Sequence, residues 1–301
     1  MVGASELAIF AAVVTEKSFS AAAEKIGLSN TVVSKKITAL EKELNTQLLY
    51  RTTRKLSLTH AGELLFEYAQ GINQQAKDAF DAINELSEDI SGHIKMSVPT
   101  ISGELLLADV VAKFCQKHPK VSIELRLENE LVDLIEQGID LAIRTANLED
   151  SSLIARHLVQ SNWVVCASPS YLSNAPKLEN LEDLMQHNCL CYELQAEGSK
   201  EWRFTHNDNL SSVKVSGSFS SNNAPTLKRA ALNHAGIIYV PKCCVYEELA
   251  AGRLVTVLPE YQPRSLGVYA IYPYTRHKPK KIQLLIEDIK QAYQELEHYF
   301  D

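Results

Sequence analysis

No apolar run in this 301-residue chain is long enough to cross a bilayer. The longest, residues 7–14, has no basic residues before it and no small-residue cleavage pattern, and it stops at Glu16 and Lys17. That is not the layout of a signal peptide, so a cytoplasmic protein is expected. There is no HExxH, no GxSxG, no P-loop and no dinucleotide glycine fingerprint. Zincin, serine-hydrolase, nucleotide-hydrolysing and nicotinamide chemistry therefore have no recognisable home here. Fixed-period repeats and low-complexity segments are missing too. An excess of positive charge is lacking overall: the net charge is −7, which argues against a protein that coats nucleic acid along its whole length. Standard zinc spacing is also absent. His187, Cys189 and Cys191 in "HNCLC" are packed too closely for such a site, so no metal and no cofactor are expected. The six cysteines read as buried, reduced thiols. Redox sensing by Cys243 with Cys244, or by Cys189 with Cys191, is the alternative.

What is present is a charge asymmetry. Residues 1–60 hold eight Lys/Arg against five Asp/Glu, net +3, and the remainder is net −10. A basic module on an acidic body is expected if only that module meets DNA. Inside it lies "NTVVSKKITALEKEL", residues 30–44. Val33, Ile37, Leu40 and Leu44 recur at helical steps and predict a buried face, with Thr31, Lys35, Thr38 and Lys42 opposite. Ser29 is placed to cap this helix. Ser20 is placed to cap a shorter alanine-rich helix before it, which Gly27 would end. The short turn between the two fits a helix-turn-helix. The threonine-rich stretch after Leu44, with Arg51, Arg54 and Lys55, reads as a hairpin or wing.

Residues 59–90 contain no proline. Leu64, Tyr68, Ile72, Gln75, Ala79, Ile83, Leu86 and Ile90 form one seam, predicting a long helix that pairs with another helix. From residue 93 the pattern alternates strand and helix: "HIKMSVP", "GELLLADVVAKFCQKHP", "VSIELRLE", "LVDLIEQG", "IDLAIRT". This predicts a parallel sheet with helices on its faces. A second set runs from "WVVCASP" through "VKVSGSFS" and "IIYVP" to "LVTVLP", and a last helix is expected over residues 280–296. Trp202 and Phe204 read as core anchors.

The elements "SFSAAA", "VSKKITALEKEL", "LLYRTTRKLSLT", "DLAIRT", "SSLIARHLV", "ASPSYL", "SNNAPTLKRAAL" and "YPYTRHKPKKI" stand in the order found in one family. The chain resembles the LysR-type transcriptional regulators over essentially its whole length. Asn30 and Thr31 depart from that pattern, which commonly has Gln and Pro there, so the DNA sequence read would differ.

The resemblance implies an α/β chain with an N-terminal winged helix-turn-helix, a long linker helix and a two-lobed effector domain like the periplasmic binding proteins. The boundaries would be 1–59, 60–90 and 91–301, with lobe I at about 93–163 and 268–301 and lobe II at about 164–267. It also implies a homotetramer, a dimer of dimers, that binds an interrupted palindrome of double-stranded DNA and answers to a small effector between the lobes.

Candidate DNA contacts are Asn30, Thr31, Ser34, Lys35, Lys36 and Arg54. An asparagine can pair with adenine through both amide ends, a threonine can touch a thymine methyl, and basic side chains anchor on phosphate. Ligands of parallel sheets sit beyond the C-terminal strand ends. Those ends supply Thr100, Ser102, Arg144, Ser221 and Asn222 as candidate effector contacts, with Arg144 as a carboxylate clamp and a small anion as the expected effector. The plain alternative is that Ser102 is only a helix cap and Arg144 only a bridging ion pair. At the level of the whole protein the alternatives are a transporter's solute-binding protein and an enzyme. The first leaves the basic module unexplained, and the second has no recognisable nucleophile or base.

Overall fold

The computed structural model describes residues 3–51, 56–84, 90–129, 133–146, 153–194, 198–207, 209–274 and 279–301. They form two compact units. One is built on the chain up to Ile90 and the other from Ser91 onward, with Asp133–Gly138 grouping with the first.

The first unit opens with α1 (Ala4–Glu16), α2 (Phe19–Lys25) and α3 (Asn30–Glu43). Ile9, Phe10 and Val13 of α1, Ala22 and Ala23 of α2, and Val33, Ile37 and Leu40 of α3 share one core. Ser29 caps α3 as expected, accepting from Val32 N. Ser18, not Ser20, caps α2 by accepting from Ala21 N. Gly27, at φ +68, ends that helix, with its own N–H on Glu24 O and that of Leu28 on Ala23 O. This is the paired closure that a left-handed residue after the cap permits.

Leu44 does not join the buried stripe and is 38% exposed. The same closure at the end of α3 explains this. Asn45 takes φ +47, and the N–H groups of Asn45 and Thr46 return to Lys42 O and Glu41 O. The chain turns before Leu44 reaches the core. Glu41 Oε1 accepts from the N–H groups of Leu48 and Leu49, and these two leucines are buried in its place.

The wing forms, with β1 (Leu49–Arg51) antiparallel to β2 (Leu56–Leu58). Thr59 then donates to Gln47 O at 2.7 Å and accepts from Gly62 N at 3.0 Å, which starts α4 (His60–Asn84). A Cβ on residue 62 would lie 2.1 Å from Leu48 O, so only glycine lets the helix begin this close to the wing. α4 has two apolar faces. Phe66 and Ala69 are buried with Ala61 and Leu65 in the module's core. Leu64, Tyr68 and Ile72 stand bare on another face, 54%, 66% and 37% exposed. These three residues of the periodic seam lie on this outward face. Its continuation through residues 85–89 lies outside the described residues.

The second unit starts with β3 (Gly92–Val98), α5 (Thr100–Ser102), a π turn over Gly103–Leu107 and α6 (Ala108–Lys117). Then come β4 (Val121–Leu127), β5 (Leu141–Ala146), β6 (Leu153–Ala167) and α7 (Pro169–Asn174). β7 (Cys189–Tyr192), β8 (Glu201–His206), β9 (Asn209–Lys214), β10 (Ser220–Ser221) and α8 (Ala224–Leu232) come next. The chain closes with β11 (Ile237–Pro241), α9 (Lys242–Ala250), β12 (Val255–Thr256), β13 (Gln262–Pro263), β14 (Ser265–Pro273), α10 (Lys280–Glu295) and α11 (Glu297–Phe300).

The strand order is β10-β7-β11-β6-β14-β5-β3-β4. The sheet is parallel within each flank, β5-β3-β4 and β10-β7-β11. The parallel set read from the strand–helix alternation after residue 93 is the β5-β3-β4 flank, while the middle of the sheet, β11-β6-β14-β5, is antiparallel. β6 is the reason: fifteen residues long, it pairs with β14 up to Asn162 and with β11 from Trp163 onward. The two lobes meet at that change of partner.

Two further expectations shift. The part of residues 131–138 that is described forms a turn, not a helix, because Asp133 Oδ1 takes the N–H groups of Ile135 and Glu136. Residues 213–220 do not form one strand. Val215 N donates to Lys200 O and Cys189 N to Ser216 O, so the chain crosses from the small sheet β13-β8-β9 to the large one there. Trp202 and Phe204 are core anchors around Tyr239, whose hydroxyl donates to Arg203 O. Among the described residues no helix is long and apolar enough to cross a membrane.

Cys166, Cys189, Cys191, Cys243 and Cys244 are buried, and Cys115 is half-buried. Burial pushes the thiols of Cys189, Cys243 and Cys244 up to about 12, and those of Cys166 and Cys191 also above the ordinary range. Because the thiolate is the reactive form, the native protein at pH 8 should show about one readily titrated thiol per chain. All six should react with an aromatic disulfide only after unfolding. Rapid reaction of several thiols in the native state would contradict this burial.

Candidate functional site

The polar face of α3 is open. Asn30, Thr31, Ser34, Lys35 and Thr38 together line one shallow concavity. Asn30 and Thr31 are its first two residues, exposed, directly after the Ser29 cap. A helix start offers free backbone N–H groups and partial positive charge, and Lys35 adds a full one. The Asn30 amide is held, with its Nδ2 donating to Ser20 Oγ of α2 at 3.0 Å. Lys36 differs from Lys35. Its ammonium lies 2.8 Å from Glu6 Oε1 of α1, and this bond holds the Glu6 carboxyl below its ordinary range. Lys36 thus ties α3 to α1. Arg54 lies outside the described residues.

In the second unit the expected strand-end residues separate into two levels. The upper level is polar and accessible. Thr100 N donates to Asn129 Oδ1 at 2.9 Å, and Asn129 Nδ2 donates to Asn222 O at 3.4 Å. Asn129 therefore joins the helix start after β3 to the turn after β10, and it brings Thr100 and Asn222 together. Ser221 accepts from Asn223 N in that same turn, and Asn223 caps α8 by accepting from Thr226 N.

The lower level is buried. Arg144 is 6% exposed: Nη1 donates to Ser97 O and Ile143 O, and Nη2 to Ser97 Oγ at 2.7 Å. The Ser97 hydroxyl in turn donates to Glu128 Oε2 at 3.0 Å. Burial pulls the guanidinium below its ordinary value, and the Glu128 charge opposes that. With both Nη1 hydrogens engaged, Arg144 does not offer the open two-nitrogen fork expected of a carboxylate clamp. Ser102 is 5% exposed and lies beside Tyr293 of α10, whose buried hydroxyl makes no hydrogen bond of good geometry.

Three contributors are not evident from the sequence: Asn129, Glu128 and Ser20. For the first two a signal exists. They directly follow β4, whose C-terminal end faces the same way as those of its parallel neighbour β3 and of β5 beyond it. Ser20 stands where the sequence suggests a helix cap, a role that Ser18 performs.

In "HNCLC" the candidate ligand atoms turn to different neighbours, and His187 Nε2 is buried without a hydrogen bond. His187 Nδ1 meets the Tyr171 hydroxyl, Cys189 Sγ turns to Leu184 O, and Cys191 Sγ to Cys189 O. Among the described residues no three acidic, histidine or cysteine side chains are grouped to hold a metal.

Comparison with known proteins agrees with this division of labour. Residues 4–63 match the bacterial regulatory helix-turn-helix protein family, lysR type, and residues 87–294 match the LysR substrate binding domain. The transcriptional regulator PtxR of Pseudomonas aeruginosa is 33% identical over 95% of this chain and 92% of its own length. DmlR of Escherichia coli is 31% identical over 98% and 95%. The full-length structure of the Vibrio cholerae virulence activator AphB superposes with a TM-score of 0.65 at 28% identity, covering 96% of this chain and 98% of that one. CrgA of Neisseria meningitidis superposes at 0.60 and 30%, covering 97% and 99%. The helix-turn-helix match removes the transporter solute-binding alternative. An N-terminal DNA-binding module is followed by a two-lobed effector-binding domain, and the chain belongs to the LysR-type transcriptional regulators.

Proposed function

We propose that this regulator reads an interrupted palindrome through the open face of α3, as a dimer of dimers in the cytoplasm, and that a small polar effector bound between its lobes changes that binding. Residues 1–59 are read as the DNA-binding domain, 60–90 as the linker and 91–301 as the effector domain. The observation that carries the DNA reading is the single concavity lined by Asn30, Thr31, Ser34, Lys35 and Thr38. Asn30 and Thr31 are assigned to base edges, and Ser34 and Lys35, with Arg54 of the wing, to the phosphate backbone. Lys36 supports α3 from behind. The basic test is retardation of the protein's own promoter fragment, lost as salt rises.

The effector is assigned to Thr100, Asn129, Ser221 and Asn222, where hydroxyls, carboxamides and a helix start converge. Arg144 and Ser102 lie beneath them as support. Since Arg144 and Glu128 share one serine hydroxyl, their charges largely cancel. We therefore read the ligand as a small molecule chosen by hydrogen bonding more than by net charge. The cleft is a sensor and not a catalytic centre.

Lys35→Ala should weaken operator binding uniformly across sequences and lower the slope of log K against log salt by about one unit, as loss of one phosphate contact does. Lys36→Ala should leave that slope unchanged. Fluorescence anisotropy at several salt concentrations separates the two, and equal slopes for Lys35→Ala and the parent would refute the assignment.

The bare stripe on α4 is read as the dimer seam. Placing aspartate at both Tyr68 and Ile72 would bury unpaired charge there. Light scattering should then report smaller species, with operator binding lost in parallel. A variant of unchanged mass would show that the seam lies elsewhere.

Arg144→Ala should lower the melting temperature even without effector, because it leaves Glu128 and the Ser97 carbonyl without their cation. Ser221→Ala should leave the effector-free melting nearly unchanged and reduce the shift given by whichever compound of a polar panel stabilises the parent. The opposite pattern, normal melting but no response in Arg144→Ala, would restore Arg144 as a ligand clamp.

A further inference from the structure

The DNA-facing helix carries an asparagine whose side chain is not left to itself. Asn30 is exposed at the first position of α3, and its Nδ2 donates to the Ser20 hydroxyl of α2 at 3.0 Å. Ser20 is itself exposed and is not needed as a cap, because Ser18 closes the start of α2. The serine hydroxyl has no assigned role in the module's core, and its partner lies at the mouth of the concavity on α3.

The chemistry of the amide gives this contact meaning. A carboxamide has one oxygen that accepts and one nitrogen that donates twice. To read adenine in the major groove it must accept from N6 with the oxygen and donate to N7 with the nitrogen at once. The terminal torsion of a free asparagine is broad, so an exposed amide has no fixed plane. An amide turned out of the plane of the base loses one bond of that pair. The bond to Ser20 uses one of the two Nδ2 hydrogens. It holds the amide in one place and plane, and leaves the second hydrogen and Oδ1 side by side for a base.

We propose that Ser20 is a specificity-positioning residue, holding the Asn30 amide in place and in plane so that the recognition helix selects an adenine at one operator position. This rests on reading Asn30 as a base contact. Ser20 acts through Asn30. It contributes pre-ordering of the reader, so removing it changes which sequences are preferred more than how strongly DNA as a whole is held. The contact also accounts for asparagine itself at this position. A glutamine, one methylene longer, would not keep its amide both on Ser20 and at the same depth in the groove.

The test uses the full-length protein and a duplex pool with a randomised centre, enriched on the parent. Asn30→Ala is used first to find the base pair whose identity it no longer distinguishes. Ser20→Ala, Ser20→Thr and the parent are then compared on two duplexes that differ only there. Ser20→Ala should lose about tenfold of the discrimination at that pair, within the range one bidentate base contact supplies. It should keep the parent's salt slope, because no phosphate contact is removed. Ser20→Thr, which keeps the hydroxyl, should recover most of the discrimination. Thermal melting confirms that all variants are folded.

Undiminished discrimination in Ser20→Ala overturns the proposal. So does an equal loss on both duplexes with a slope reduced by about one unit, which would make Ser20 a phosphate contact. If Asn30→Ala blurs no base pair, the base-contact reading of Asn30 fails first and the positioning role falls with it.

Discussion

One strand holds the effector domain together. β6 hydrogen-bonds to β14 as far as Asn162 and to β11 from Trp163, so a single stretch of backbone belongs to both lobes. β14 makes the return passage beside it. Hinging of one lobe on the other has to pass through these extended residues. Extended strands tolerate twist better than sliding, since a one-residue slip would send every side chain to the opposite face. The polar groups above the crossing, Asn129 with Thr100 and Asn222, are held much more weakly than the strand pair that carries them. Strong backbone pairing at the hinge beneath exposed side-chain bonds at the rim suits a domain that must bend in one place and respond in another.

Much of the architecture is readable in the sequence because it is periodic. The apolar steps of α3 declare a buried face, and the alternation after residue 93 declares strands and helices. What periodicity leaves unspecified is where a side chain ends up when its partner is distant in the chain. Lys36 and Lys35 are neighbours in sequence, yet only Lys36 is tied to Glu6, 30 residues away. Asn129 reaches Thr100 across 29 residues and Asn30 reaches Ser20 across ten. Each of these contacts bears on a proposed role, and none leaves a repeating mark.

The ends of elements are the other blind spot. Leu44 continues the helical step but falls after the last turn, where Asn45 in a left-handed conformation diverts the chain. Arg144 shows the same limit in chemical form. A strand-end arginine beside a cleft reads as an anion clamp, and its burial with three hydrogen bonds is what the sequence does not announce. Ser97 and two carbonyls surround the guanidinium, and a group so well satisfied has little affinity left for a ligand.

The helical run that begins at Thr100 is not uniform. Its first turn is followed by π turns over Gly103–Leu107 before α6 resumes regular winding. A π turn accommodates one residue more than an α turn, so it rotates the helix before it by about 100° relative to the helix beyond it. Leu106, Leu107, Val110 and Phe114 are thereby free to meet the demands of their own lobe, while Ile101 packs against the core of the other. The inserted residue resets the face of the helix, so side chains before and after it point into different cores.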